Sequence, residues 1–188
     1  MYKPTPQLTL ALGLTLALAA CKKDEKADPI IPPAPVNEEE LITDVKLFFT
    51  DPAGNTYEWH AEIDDVAVLI HADTLPANTL LETEILVLDA STTPADTVSN
   101  EILAEGDEHQ FFFLPAGVGV TFTYSDSDEN GRPIGLLSQW QTGSAGAGEV
   151  EVILRHEPIK DATGVSNGDI TNAGGSTDIE VVFPAVVQ

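Results

Sequence analysis

The chain has 188 residues, of which 31 are acidic and 8 are Lys or Arg, so its formal net charge is −23 at pH 7. A field of this sign repels phosphate-bearing ligands, which excludes nucleic acid as a partner, and it concentrates cations near the protein. The sequence contains a single cysteine, so an intrachain disulfide is also excluded.

The N-terminus reads as a secretory signal. Residues 8–20 form a 13-residue apolar run that follows one cation, Lys3, and ends in small residues, as such signals require. The run is too short to span a bilayer. Cys21 follows directly, and the segment LAAC (18–21) resembles the lipobox of bacterial lipoproteins. It predicts removal of residues 1–20 and lipid attachment at Cys21; the alternative is an ordinary signal peptide followed by a chance free thiol.

Residues 21–40 predict a disordered tether after the anchor. The segment 22–40 contains four prolines and many charges, a composition that cannot build a core. In polyproline II geometry it could extend up to roughly 60 Å. Its first residues, KKDE (22–25), resemble the export signal of surface lipoproteins in the Bacteroidota. They predict an outer-membrane protein that is displayed on the cell surface.

Residues 41–188 predict a single all-β domain. Short alternating runs are separated by turn residues at roughly ten-residue spacing, which is typical of an antiparallel β-sandwich or a partly open barrel of about eight strands. One short helix is predicted at 96–105, capped by Asp96 or Thr97 and closed by Gly106. The predicted strands cover residues 42–50, 56–63, 79–89, 108–114, 118–125, 134–142, 149–155 and 178–187.

An acidic turn offers a candidate calcium site. Asp126, Asp128 and Asn130, followed by Gly131, match the first half of a calcium loop, in which oxygen ligands alternate before a glycine. The second half departs from that pattern, because Leu137 stands where a bidentate glutamate is needed. The alternative is a hairpin turn, which asparagine followed by glycine explains without an ion.

Two histidines with neighbouring acids offer a candidate transition-metal site. Glu108 and His109 open one predicted strand, and His156 and Glu157 close another. If these strands pair antiparallel, both imidazoles lie at one rim of the sheet, and neutral imidazole suits zinc or copper. His156 faces inward by alternation with Val152 and Leu154, whereas the face of His109 is open. The alternative is two rim histidines without a metal.

The aromatic residues and the C-terminal glycine-rich segment carry weaker signals. Trp59, Trp140, Tyr57 and Tyr124 could form a platform for a sugar or haem, although aromatics in strand alternation are usually core. Residues 164–178 predict a polar loop able to bind through backbone groups. HExxH and phosphate-loop motifs are missing from the sequence, so we predict a protein that is not an enzyme.

Several segments resemble a known family: LAAC (18–21), NEEELIT (37–43), DEHQF (107–111), LRHEP (154–158) and GDITNAGG (168–175). On these residues the chain resembles, end to end, a family of small surface lipoproteins of the Bacteroidota. Members are sometimes labelled type 1 periplasmic binding folds, which need long helices alternating with parallel strands, and this sequence has almost none. The resemblance implies an accessory lipoprotein beside a TonB-dependent receptor in nutrient or metal capture.

Two functions follow as expectations. The first is a non-enzymatic surface lipoprotein that binds a metal or metal complex. The alternative is a structural or adhesive module whose acidic face binds calcium.

Overall fold

The computed structural model describes residues 41–64 and 66–188. The predicted signal peptide, Cys21 and the tether lie outside the described residues, so lipidation stays a prediction. No helix within the described ranges is both long and apolar enough to cross a bilayer.

Nine β-strands, one α-helix and two short 3-10 helices make up the described chain. In chain order they are β1 (Asp44–Thr50), β2 (Thr56–Ile63), β3 (Val68–Ala72), β4 (Leu80–Leu88), α1 (Val98–Ala104), β5 (His109–Ala116), β6 (Val120–Tyr124), β7 (Leu137–Thr142), β8 (Gly146–His156), the 3-10 turns Val165–Asn167 and Ile170–Asn172, and β9 (Ser176–Val187).

The strands form two antiparallel sheets that enclose one main core. The larger sheet has the order β3-β2-β1-β4-β7-β6 and the smaller has the order β5-β8-β9. Leu75 bridges Val187 along one side, and on the other side the amide of Phe111 donates to the carbonyl of Ile134 over 2.7 Å. The prediction of an all-β antiparallel sandwich or partly open barrel with one short helix is confirmed.

The strands form where side chains alternate between core and solvent. In β1, Val45, Leu47 and Phe49 are fully buried, while the residues between them are partly exposed. A period of two directs one face of each strand into the core. β1 lies between β2 and β4, so it forms the middle of the larger sheet.

Aromatic side chains fill the centre of the sandwich. Trp59 and Trp140 are fully buried; their ring centroids lie 5.9 Å apart, and Phe49 packs edge-on against both. The indole N–H of Trp59 donates a hydrogen bond to the carbonyl of Asp73, and that of Trp140 donates to the hydroxyl of Ser138. The two tryptophans are therefore core residues and leave no exposed face for a sugar or haem platform.

The segment predicted as a polar loop forms a second, smaller layer. Phe112 points away from the main core and packs with Ile153, Val165 and Ala173. The amide of Gln110 also donates to the carbonyl of Val165 over 2.8 Å. Residues 164–175 thus cover the outer face of the smaller sheet, because that face of β5 is apolar.

Two local features differ from the predictions. β3 was not predicted, because its residues Val68–Ala72 lie at a sheet edge and are mostly exposed, without the alternation of a half-buried strand. The helix is present, but the side chain of Thr97 makes no capping hydrogen bond. Burial of Val98 and Ile102 positions the helix instead.

Candidate metal centre

The pairing of β5 with β8 places the two predicted histidines side by side. His109 is the direct cross-strand partner of His156, and their ring centroids lie 4.8 Å apart. His156 continues the buried row of β8, as predicted by alternation. Both residues are buried, with exposures of 0% and 3%. The expected rim pair is therefore an interior pair at one end of the smaller sheet.

Asp178 completes the inner group, and the sequence reasoning missed it. Its Oδ2 lies 3.8 Å from His109 Nε2 and 3.8 Å from His156 Nδ1. One ligand atom from each of the three residues lies within 4.8 Å of the other two. We call His109, His156 and Asp178 the inner set. Its size and composition suit a single metal ion.

A β-bulge explains how Asp178 reaches this position. Leu154 pairs with Ile179, but the next residue, Arg155, pairs with Thr177, so Asp178 is the extra residue on β9. Bulges redirect a side chain that alternation would place elsewhere. Simple alternation with Ile179 predicts Asp178 on the solvent face, yet its side chain is only 9% exposed. The alternation of side chains along β9 therefore gives no indication that Asp178 is buried.

The end of α1 orients His109. The ring Nδ1 lies 3.1 Å from the carbonyl oxygen of Glu105, the residue that follows the helix. A carbonyl oxygen only accepts, so Nδ1 carries the proton and Nε2 holds the lone pair. Metal-binding histidines commonly have their other nitrogen fixed in this way. The lone pair of Nε2 is thereby presented towards Asp178.

Two ring nitrogens of this group are buried without a hydrogen bond. Within the described part of the chain, neither His109 Nε2 nor His156 Nε2 has a hydrogen-bond partner. Leaving such an atom unsatisfied costs about 1–3 kcal/mol, and a bound ion is one explanation for such groups in native proteins. The orphaned nitrogens therefore mark the cluster as a metal-binding candidate.

The two predicted glutamates lie at the surface beside His156. Glu108 Oε2 is 3.7 Å from His156 Nε2, and Glu108, His156 and Glu157 form a second group of donors within 4.8 Å of one another. The amide of Glu157 donates to the carbonyl of Glu108 over 2.6 Å. We call these three residues the outer set. The structure brings all four predicted residues together but divides them between two sets that share His156.

The predicted calcium ligands lie in a turn between β6 and β7 that their carboxylates close. Asp126 accepts from the amides of Gly135 (2.8 Å) and Leu137 (2.9 Å). Asp128 Oδ1 accepts from the amides of Asn130 (2.9 Å) and Arg132 (2.8 Å). All four carboxylate oxygens receive protein hydrogen bonds, since Lys160 completes the set. These bonds account for the turn without an ion, and calcium binding here stays a prediction.

Lys160 is a buried cation beside that turn. Its ammonium donates to Asp128 Oδ2 over 3.1 Å, to the carbonyl of Pro133 over 2.9 Å and to the carbonyl of Gly106. Burial lowers the pKa of Lys160. Burial also acts to raise the pKa of Asp128, but hydrogen bonds from Arg132 and Lys160 outweigh it and hold that pKa below its ordinary value. The pair links the turn to the segment after β8.

The remaining histidines form a pair on the larger sheet. His60 lies opposite His71 on β2 and β3. His60 Nε2 is 2.8 Å from Asp44 Oδ1, and His71 Nε2 is 3.2 Å from Asp73 Oδ1. Each imidazole has its own carboxylate partner, and His71 is 66% exposed. His71 serves below as a control.

Comparison with known proteins found no matching family model, no matching curated protein and no matching solved structure. The candidate metal centre therefore rests on the geometry of this chain.

Proposed function

We propose that this chain is a non-enzymatic lipoprotein of the outer membrane that binds a divalent transition metal. The observation that carries the proposal is the inner set, where two buried histidines and Asp178 lie within ligand distance of one another. Lipid attachment at Cys21 and display on the cell surface, beside a TonB-dependent receptor, complete the proposal. They are supported by the lipobox and the tether composition.

The donor types favour zinc or copper over calcium or magnesium. Imidazole nitrogen is a common ligand of the later transition metals, whereas calcium and magnesium prefer oxygen ligands alone. Imidazole nitrogen and carboxylate oxygen are both ordinary ligands of zinc. Zinc is accordingly the probe of choice.

Retention of the ion, rather than catalysis, is supported by burial of the donors. His109 and His156 are almost completely buried, and the Asp178 side chain is 9% exposed. A catalytic ion needs a coordination position that a substrate can reach. The strongly acidic chain also attracts cations from solution. These features suit a protein that captures an ion and holds it.

Zinc titration of the metal-free protein tests this function. The full chain is used with Cys21→Ser, so that no thiol contributes ligands. We expect one zinc per chain by calorimetry, and we expect His109→Asn to abolish it. The asparagine amide can still donate to the Glu105 carbonyl, so the variant removes Nε2 and preserves the neighbouring contact. Circular dichroism verifies that the variant folds.

The exposed His71 supplies the matched control. His71→Asn removes one imidazole far from the inner set and should leave zinc binding unchanged. Equal binding by His109→Asn and the parent would contradict the metal centre, as would no binding at all. A response to calcium alone that Asp128→Ala abolishes would favour the adhesive calcium-binding module instead.

A further inference from the structure

We infer that the outer set is an entry site, which receives a divalent transition-metal ion from solution and passes it through His156 to the inner set. This inference rests on the proposed function of the inner set. It assigns a separate role to Glu108 and Glu157, which bind the ion in transit and do not hold it at equilibrium.

The ring of His156 connects the two sets. Its Nδ1 lies 3.8 Å from Asp178 Oδ2, and its Nε2 lies 3.7 Å from Glu108 Oε2. His156 is 3% exposed, and within the described residues its Nε2 has no hydrogen-bond partner. A buried, unsatisfied nitrogen thus faces the exposed carboxylates. One imidazole offers a ligand atom to each set.

Burial orders the two sets along a path from solvent. The side chain of Glu108 is 50% exposed and Glu157 is exposed, whereas His109 is fully buried. An ion that approaches this end of the smaller sheet meets the two carboxylates first. Glu157 adopts a φ of 50°, which is uncommon for a residue other than glycine. Its amide bond to the Glu108 carbonyl keeps the two acids adjacent.

The donor chemistry favours movement inward. The outer set has two carboxylates and one imidazole, and the inner set has two imidazoles and one carboxylate. A later transition metal binds nitrogen donors better than carboxylates, so the inner set is the more stable position. For the ion to pass from Nε2 to Nδ1, Nδ1 would release its proton to solvent or a neighbouring carboxylate and Nε2 would take one up, so the ring carries one proton before and after.

An entry site changes rates without changing the final affinity. Replacing both outer carboxylates should slow zinc binding about tenfold, the lower end of the rate gain from charges that line a cleft, because the ion loses two of its ligands on the way to the inner set. Dissociation should slow by the same factor, because the ion leaves by the same path. The dissociation constant of the inner set should therefore stay within about twofold.

Stopped-flow mixing with zinc and a competing chromophoric chelator measures both rates. The test protein is the full chain with Cys21→Ser, compared with its Glu108→Gln/Glu157→Gln double variant. The control is Glu84→Gln/Glu129→Gln, which removes the same charge at two other exposed sites. We expect slow exchange only in the first double variant, with unchanged affinity in all three proteins.

Other outcomes would overturn the inference. Unchanged rates in the Glu108→Gln/Glu157→Gln protein would remove the entry site and leave the inner set intact. Faster dissociation with weaker affinity would make the glutamates ligands of the final site. Equal slowing of zinc exchange in the control protein would show that the effect arises from the change in net charge. An absence of zinc binding in the parent protein would instead refute the proposed function itself.

Discussion

A backbone carbonyl determines which ring nitrogen of His109 carries the proton. The Glu105 oxygen just after α1 fixes the proton on Nδ1, and Nε2 is left as a buried lone pair. Asp178 then lies between the two imidazoles because a bulge redirects it. At this scale the inward direction of His156 could be predicted from the sequence, because β8 alternates, whereas the face of His109 could not, because β5 is buried on both faces. The position of Asp178 could not, because a bulge depends on strand pairing.

The buried pair of Asp128 and Lys160 gives a prediction about stability. Asp128→Asn should reduce the free energy of unfolding at pH 7 by about 1.5–3 kcal/mol, the range for hydrogen bonds to charged groups. The pKa of Asp128 is lowered in the folded state, so its stabilisation is complete above the unfolded pKa, near 4. It is lost as the pH falls through the folded value. Urea denaturation at pH 7 and pH 3 should show the difference between parent and variant shrinking in acid.

Asp161 is the matched control for this substitution. It forms an ion pair with Arg132 but its side chain is 74% exposed, and exposed pairs contribute only about 0–1 kcal/mol. Asp161→Asn should therefore change stability little at either pH. A loss in Asp161→Asn as large as that in Asp128→Asn would show that burial of the pair is unimportant.

At the scale of elements, the start of β9 lies very close to the end of β8, beside the candidate metal centre. Gly175, just before β9, has a φ of +69°, and a Cβ atom there would lie 2.1 Å from the carbonyl oxygen of His156. A side chain is therefore excluded next to a candidate ligand. Only glycine allows the two strands to meet where β8 ends.

Gly175→Ala should disturb both stability and zinc binding. Forcing an extra group into a packed site costs about 1–3 kcal/mol, and a left-handed backbone adds about 1–2 kcal/mol for alanine. Gly54→Ala is the control, since Gly54 has a φ of +83° with no atom within 4 Å of its Cβ position. Gly54→Ala should lose only the stability that the left-handed backbone costs an alanine, and it should keep full zinc affinity. Equal losses in both variants, measured by urea denaturation and calorimetry, would contradict a steric role for Gly175.

The strands whose limits are predicted most closely are those with one buried face. β1, β2 and β4 match their predicted ranges closely, because alternation records burial directly. β3 was not predicted because a mostly exposed edge strand has no period of two. The packing of residues 164–175 against the smaller sheet was not predicted either, because short 3-10 turns have no such period. The predicted helix is present, but burial of Val98 and Ile102 fixes its position, and no side-chain cap forms at its start.

At the scale of the whole molecule, we propose a β-sandwich with an N-terminal lipid anchor. The candidate metal centre lies in the described residues, whereas the anchor is predicted from the sequence. Cys21→Ser should move the protein from the membrane fraction to the soluble fraction, because a lipidated cysteine supplies about 0.8 kcal/mol per buried methylene. Immunoblotting of fractionated cells measures this, with His71→Asn as a control that stays on the membrane. Membrane retention of the Cys21→Ser protein would contradict lipid anchoring.

Joint binding of a transition metal by His109, His156 and Asp178 can be measured directly. X-ray absorption at the zinc edge, on the zinc-loaded chain with Cys21→Ser, reports which ligand atoms surround the ion. We expect two imidazole nitrogens and at least one oxygen at about 2.0–2.2 Å, an altered oxygen shell in Asp178→Asn, and no bound zinc in His109→Asn. A spectrum with oxygen ligands alone, or one that neither substitution changes, would contradict joint binding by the three residues.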